Sequence, residues 1–450
     1  MSITLPQPVL AFMKTVSDAH HEIYVVGGSV RDLLLHIPTK DWDFTTSARP
    51  EQILELFPDG FYNNQFGTVG VPHVMFEGAE VVFEVTTYRT ESSYNNKRHP
   101  SEVAWSTNLT DDLARRDFTI NAIAYDGTTM VDPYGGQEDL NNRLIRAVGD
   151  AHVRFEEDAL RLMRAVRLSA QLGFTIEEST KQALAQQAAA ISHISGERIR
   201  DELLRLICTP NCAQGINYMR EVGLLAHVLP ELDACFGVDQ VSPERHHIYD
   251  VGTHLVQSLA HCPSTDPITR LSTLLHDIGK KETMRRDPET QIITFYNHEV
   301  VGAHQARAIA KRLKLSNKDA DKLYKLIRHH QFTVTEEQTD RAIKRFIREL
   351  GLEYVQDMLD LRTGDRLGSG SSETSWRTEL FKKRIVAVQH TPFSVRDLKI
   401  DGHDVMSELH IAPSKQIGDI MDALFEKVEN GELKNEREEL LSALKAFATK

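Results

Sequence analysis

An α/β N-terminal domain followed by all-α domains is the fold class that the sequence predicts, and three observations predict it. The chain has 450 residues, which at about 100 to 200 residues per domain amounts to roughly three domains. Up to about residue 142, β-branched and aromatic runs at Ile23–Val26, Thr68–Phe76 and Val81–Tyr88 are punctuated by Gly and Asn, the pattern of a short sheet. From about Asp150 onward apolar residues recur at three- and four-residue spacing, as in Leu160, Met163, Ala165, Val166 and Leu168 and again in Leu203, Leu204 and Leu206, the pattern of helices. Breaks fall near Asn141-Asn142, between Gly237 and Pro243, and in the Gly368–Ser372 stretch, so the expected domains span residues 1–142, 143–240, 241–367 and 368–450.

With 41% hydrophobic and 26% charged residues the chain has ordinary globular usage and enough apolar surface for a sizeable core. Its 52 basic against 65 acidic residues leave a net charge of −13, which excludes coating of DNA or an anionic membrane through the overall field but leaves room for a local basic groove. The four cysteines, Cys208, Cys212, Cys235 and Cys262, have neither zinc-ribbon spacing nor disulfide-scaffold density, and read as reduced thiols. No basic-then-apolar leader and no apolar run of about 18 residues occurs. A soluble cytoplasmic protein, with no membrane and no DNA partner, is the expectation.

Within the α/β domain, the run Ile23-Tyr-Val-Val-Gly27-Gly28-Ser29-Val30-Arg31-Asp32 puts two glycines between a strand and a helix-like stretch. Backbone N–H groups there approach a triphosphate closely, and the helix start adds positive charge. Asp41 and Asp43 follow; at i and i+2 on a strand they share a face, so both carboxylates reach one metal pair. Glu84 is a third acid, set among the β-branched and aromatic residues of Val81–Tyr88. Such hard oxygen ligands suit Mg2+, which activates a hydroxyl for in-line attack and offsets the charge of a leaving pyrophosphate. That is the chemistry of nucleotidyl transfer.

Three motifs in this order, Gly27–Asp32, the Asp41/Asp43 pair continuing through Pro50, and Arg115-Arg116-Asp117-Phe118-Thr119-Ile120-Asn121-Ala122, resemble bacterial-type (class II) CCA-adding tRNA nucleotidyltransferases and their poly(A) polymerase relatives. The resemblance implies a polymerase-β-like nucleotidyltransferase head in which Asp41 and Asp43 hold catalytic Mg2+ and Glu84 is the third carboxylate. It implies further that Gly28, Ser29 and Arg31 sit by the triphosphate, and that Arg116, Asp117 and Asn121 bind the nucleotide, the last two at the ribose. The partners it implies are tRNA, CTP and ATP.

The segment Phe155–Arg167 reads by period as one helix, with Asp158 and Arg161 as neighbours on a face. Taken alone they make a surface ion pair; alternatively, a carboxylate acceptor beside a guanidinium donor matches the hydrogen-bonding edge of a base. The resemblance implies the second reading: this Glu-Asp-x-x-Arg motif selects CTP and then ATP without a nucleic acid template, through Asp158 and Arg161 with Glu157 and Arg164 in support. Glu197–Leu203 resembles the next motif, which braces that helix. The polar stretch Tyr88–Pro100 lacks periodicity and reads as a mobile loop, which in the family accompanies addition of all three nucleotides.

Twenty histidines are present, and His254, His276-Asp277 and Asp365 follow one another in order. An adjacent His-Asp inside an apolar run is explained by a bound cation better than by packing. The order resembles the HD phosphohydrolase superfamily, in which His298 and His329 or His330 would add ligands; the working assignment is His254, His276, Asp277, His298, His329 and Asp365 around a divalent metal of open identity. The implied activity is phosphatase or 2′,3′-cyclic phosphodiesterase action on RNA ends.

Between Arg307 and Arg328 eight basic residues face two acids, and Arg341, Lys344, Arg345 and Arg348 share a helical face, so both stretches are candidate tRNA contacts. The expected whole is template-independent CCA addition by two-metal nucleotidyl transfer with a helical HD domain and C-terminal tail. The alternatives are a poly(A) polymerase, or an HD phosphohydrolase whose N-terminal domain binds RNA. Oligomeric state is left open.

Overall fold

The computed structural model describes residues 3–39, 41–64, 67–76, 78–95, 99–240, 248–332, 339–389 and 395–445. They form two compact units, residues 1–238 with 308–316 and residues 239–307 with 317–450. Among the described residues no helix is long and apolar enough to cross a membrane.

The first unit begins with a mixed sheet of strands β1 (Ile23–Val26), β2 (Asp43–Thr46), β3 (Phe61–Asn64), β4 (Thr68–Phe76), β5 (Ala79–Thr87), β8 (Ala124–Tyr125) and β9 (Met130–Val131), between which β6 (Arg89–Asn95) and β7 (His99–Trp105) form a separate antiparallel ribbon. The spatial order is β3-β4-β5-β2-β1-β8-β9, and β2 and β5 run parallel with Asp43 opposite Glu84 and Phe44 opposite Val85. Alternation then sorts the two faces. Phe44 and Phe83 turn to one side, where their rings lie 4.9 and 5.1 Å from Phe12 of the first helix, Gln7–Asp18; the acids belong to the other side. The ribbon corrects the expectation of a loop at Tyr88–Pro100: β6 and β7 pair from Arg89–Trp105 to Asn95–His99, with residues 96–98 outside the described set.

After the sheet, the helix expected to run through Phe155–Arg167 is broken. Helix Ala151–Glu157 ends, Asp158 is extended (φ −142°, ψ 104°), and a second helix spans Leu160–Leu172. The cause is local: the Asp158 carboxylate accepts a hydrogen bond from the Leu160 amide at 3.0 Å and starts the second helix instead of continuing the first. The helix Gly196–Ile207 packs against it.

The second unit is helical, and close approaches bring its chemistry together. Helices Val251–Ala260 and Val355–Gly368 pack tightly, because a Cβ on Gly364 or Gly368 would lie 2.5–2.6 Å from Ser258 backbone atoms. Likewise a Cβ on Gly279 would lie 2.2 Å from the His298 carbonyl, so glycine there lets the helix His298–Arg312 start against His276-Asp277. A core of Leu326, Ile343, Ile347, Met358, Leu361 and Phe381 follows, and a further one of Leu398, Val405, Leu424, Leu440 and Leu444 holds the C-terminal helices.

Candidate functional site

On the polar side of the sheet, Asp41 and Glu84 are exposed and Asp43 is half-buried. The parallel register makes Asp43 and Glu84 neighbours across the strands, a proximity that 41 residues of sequence separation hide. Burial raises the Asp43 carboxyl above its ordinary value, the Arg116 guanidinium opposes this, and the negative charges of Glu84 and Asp41 raise it further. Carboxylates gathered until one resists ionising are the donor set a hard divalent cation satisfies, so these residues fit Mg2+.

Ser29, expected beside the triphosphate, also links the turn to the acids. Its buried hydroxyl donates to the Asp41 carbonyl (3.0 Å) and accepts from the Asp43 amide (3.1 Å), which ties the glycine turn to the acidic strand. Gly27 takes φ +75°, and a Cβ there would lie 3.1 Å from an Arg116 guanidinium nitrogen and 3.7 Å from Asp43 Oδ2. The turn therefore closes directly over the acids.

The cations around this site are held by buried acids. Asp112, fully buried, accepts from Arg115 (2.7 and 2.9 Å), Arg116 (3.1 Å) and the Thr45 hydroxyl (3.1 Å); burial opposes its ionisation, but the two arginines lower its pKa on balance. Sequence reasoning passed over Asp112, although its spacing of three and four from Arg115 and Arg116, at and just past the end of the helix Leu109–Ala114, was the available signal. Arg31 donates to Asn121 Oδ1 (2.9 Å), Asn121 donates to Asp117 Oδ1 (3.0 Å), and Arg164 donates to Asp117 Oδ2 (2.7 Å). Five expected nucleotide residues thus fall into two linked sets, Arg116 on Asp112 and Arg31-Asn121-Asp117-Arg164 in a chain. Burial penalises the Asp117 carboxylate, yet Arg164 and Asn121 hold it well below the usual range.

Asp158 and Arg161 meet through the backbone, the Arg161 amide donating to the Asp158 carbonyl at 3.0 Å, while their side chains turn to other partners. Asp158 takes Arg198 (2.6 Å), from the motif expected to brace this region. Arg161 donates to Glu157 (2.6 Å) and to the Arg154 and Arg115 carbonyls (2.9 and 2.8 Å). Each is thereby fixed in place by a neighbour, which suits side chains that present a rigid pattern of donors and acceptors.

In the second unit, five buried residues and the half-buried Asp365 form a cluster in two halves. His254, His276 and Asp365 form one, and Asp277, His298 and His330 form the other, each with its ligand atoms within 4.8 Å of one another. Asp277 joins them: Oδ1 lies 3.1 and 3.3 Å from Nε2 of His298 and His330, while Oδ2 lies 3.4 and 3.6 Å from Nε2 of His276 and His254. His276, His298 and His330 each set Nδ1 2.7–2.8 Å from the carbonyl three residues earlier. Donation from Nδ1 leaves Nε2 as an unprotonated ligand atom; Nε2 of His298 faces that of His330 at 3.3 Å, and Nε2 of His276 faces that of His254 at the same distance. Facing lone pairs need a cation or a proton between them, so the residues fit two divalent metals. Without a metal His276 takes the proton: burial works against its charge, but Asp277 and Asp365 push its pKa up to about 10. The assignment of His329 is corrected to His330. His329 is the last residue of the helix Asn317–His329 and its ring stands edge-on to Phe346, whereas His330, one step past the helix end, turns into the cluster.

The basic stretches are partly spent inside the protein. Arg312 pairs with Glu231, Lys322 with Asp266 and Asp357, and Arg341 and Arg348 with Glu429. Lys344 is buried, while Arg345 stays exposed.

Comparison with known proteins finds three family matches along the chain. Residues 23–146 match the poly(A) polymerase head domain, residues 173–236 the "probable RNA and SrmB-binding site of polymerase A", and residues 286–444 the tRNA nucleotidyltransferase domain 2. The A-adding tRNA nucleotidyltransferase of Deinococcus radiodurans is 33% identical over 420 residues, 91% of this chain and 92% of its own. A CCA-adding enzyme of a Geobacillus species is 44% identical over 224 residues, 49% of this chain and 54% of its own, so the match spans about half the length of that relative. Among solved structures, the Bacillus stearothermophilus CCA-adding enzyme in complex with CTP has a TM-score of 0.73 at 28% identity, covering 98% of both chains.

Proposed function

Because the chain belongs to the tRNA nucleotidyltransferase and poly(A) polymerase family, we propose that it completes the CCA end of tRNA from CTP and ATP. The observation that carries this is the pairing of Asp43 with Glu84 across parallel strands, with Asp41 tied alongside through Ser29. Asp41 and Asp43 would hold Mg2+, which when bound neutralises triphosphate charge and favours the ionised hydroxyl. The 3′ oxygen of the tRNA bonds to the α-phosphorus, the bond from that phosphorus to the β-bridging oxygen breaks, and pyrophosphate leaves. Glu84, exposed beside Asp43, is placed to take the hydroxyl proton. Arg31 and Arg116 supply positive charge beside the turn, Asp117 and Asn121 receive the ribose, and Asp158 and Arg161 read the base edge.

The test is a mixed-nucleotide reaction on tRNA lacking CCA, followed by sequencing of the ends. Addition of C, C and A supports the proposal, and a long A tail would replace it with poly(A) synthesis. A second reading, addition of the final A alone, is favoured by a relative matched along 92% of its own length, which is A-adding. It predicts a single A on tRNA ending in CC and none on tRNA lacking all three.

For the second unit we infer an HD-type phosphohydrolase centre, supported by the two-part cluster around Asp277. In hydrolysis a water oxygen bonds to phosphorus, the bond from phosphorus to the ribose oxygen breaks, and that oxygen takes a water proton. Phosphate release lost on His276→Ala but kept in Asp41→Ala is the expected result.

A further inference from the structure

Over the cluster lies a cavity of about 940 Å³ whose wall includes Lys280, Tyr296, Arg362, Arg366 and Arg377. Volumes of about 300–1,000 Å³ suit a ligand of nucleotide size better than a bare phosphate. Three of the four cations are already engaged. Lys280 bonds Asp277 (2.5 Å) and Gln240 (2.9 Å), Arg362 bonds Asp365 (2.7 Å), and Arg366 is held by the carbonyls of Ser372 and Thr374 (3.0 and 3.1 Å). Arg377 has no hydrogen bond or ion pair among the described residues, and its guanidinium lies 5.2 Å from the centroid of the Trp376 ring, itself 58% exposed.

Tyr296 is the other unused side chain. It is 79% exposed, and its hydroxyl has no partner among the described residues. Its direction is set by its neighbours. Phe295 is buried and its carbonyl meets His298 Nδ1 at 2.7 Å, while Asn297 takes φ +62° and turns the chain back so that His298 enters the cluster. A tyrosine held outward between a core residue and a ligand, at the mouth of a cation-lined cavity, has the form of a stacking platform; aromatic rings joined with arginine are how single strands are held.

We propose that this cavity takes the terminal nucleotide of a single RNA strand, with Tyr296 stacked on its base and Arg377 on the phosphate to its 5′ side, and that these two residues set the preference for nucleotides over other phosphoesters. The inference rests on the hydrolase reading of the cluster. Tyr296 and Arg377 act on binding, so their signature is a split between KM and kcat.

The full chain supplied with Mn2+ is assayed for phosphate release from adenosine 2′-monophosphate and from glycerol 2-phosphate, which has no base. Tyr296→Ala should raise KM for the adenosine ester about tenfold with kcat retained, lowering the preference between the two probes by the same factor, while Tyr296→Phe keeps it. Equilibrium dialysis with adenosine 2′-phosphorothioate should show the same tenfold weakening, independent of turnover. Arg377→Ala should remove the advantage of a dinucleotide 2′-phosphate over the mononucleotide. Equal losses on both probes in Tyr296→Ala, or loss on neither, overturn the stacking assignment and leave the hydrolase reading standing. Absence of release from both probes in the unsubstituted chain removes the hydrolase reading and this inference with it.

Discussion

The sheet site and the histidine cluster both gather acids of the kind that could hold divalent cations, but the head leaves its acids open whereas the second unit closes them in. In the head, Asp41 and Glu84 remain exposed on a sheet face, and the nearby cations are anchored to separate buried acids, Asp112 and Asp117. In the second unit imidazoles alternate with carboxylates, and His254, His276, Asp277, His298 and His330 are all buried. Like charges on an open face repel and wait for a cation and a polyanion to complete them, whereas imidazoles interleaved with carboxylates offset the negative charge and preassemble. The acids of the head stay open to large substrates, whereas the closed cluster lies beneath a cavity of about 940 Å³.

If the two sites are chemically separate, substitutions should separate them. The largest effect is expected for Asp43→Ala, which should lower nucleotide incorporation on the order of a thousandfold or more, read by labelled CTP and ATP on tRNA; full incorporation would dissolve the metal assignment. Next, His276→Ala should lower the Mn2+ retained after dialysis, measured by elemental analysis, and abolish phosphate release; unchanged metal content would mean that the cluster is only structural. Arg161→Ala should cost about 10- to 100-fold in preference for CTP and ATP over GTP and UTP, and an unchanged preference would remove the protein template.

Two smaller effects concern stability. Asp117→Asn should cost about 2 kcal/mol at neutral pH by breaking a charge-assisted pair, measured by urea unfolding. Since the folded carboxyl lies below its unfolded value, the pair's contribution is present above the unfolded value of about 3.9 and is lost as pH falls towards the folded one. The acid limb of the stability profile should therefore flatten in the variant. Gly27→Ala places a Cβ at positive φ and should cost about 1–2 kcal/mol, with a loss of incorporation because Arg116 must move.

The sequence announced local structure better than it announced meetings. The strands Ile23–Val26 and Thr68–Phe76 were readable to the residue, since alternation and glycine punctuation are local. The three acids were legible as residue types, but the register that sets Glu84 beside Asp43 depends on parallel pairing, which no local pattern encodes. Periodicity also misled. Apolar spacing continues across Asp158, so the helix break was invisible until the carboxylate was seen to accept from Leu160. The choice between His329 and His330 turned on where one helix ends, a boundary that spacing leaves loose by a residue or two. The ribbon at β6 and β7 was hidden by its polar composition, because neither of its strands shows the apolar alternation of a half-buried sheet.

Tests of the central claim, that the open acids of the head perform nucleotidyl transfer independently of the closed cluster, come down to tRNA-dependent pyrophosphate release by the unsubstituted chain, Asp43→Ala and His276→Ala side by side. The account predicts release in the first and third and none in the second. Release that survives Asp43→Ala, or that disappears in His276→Ala, would contradict it.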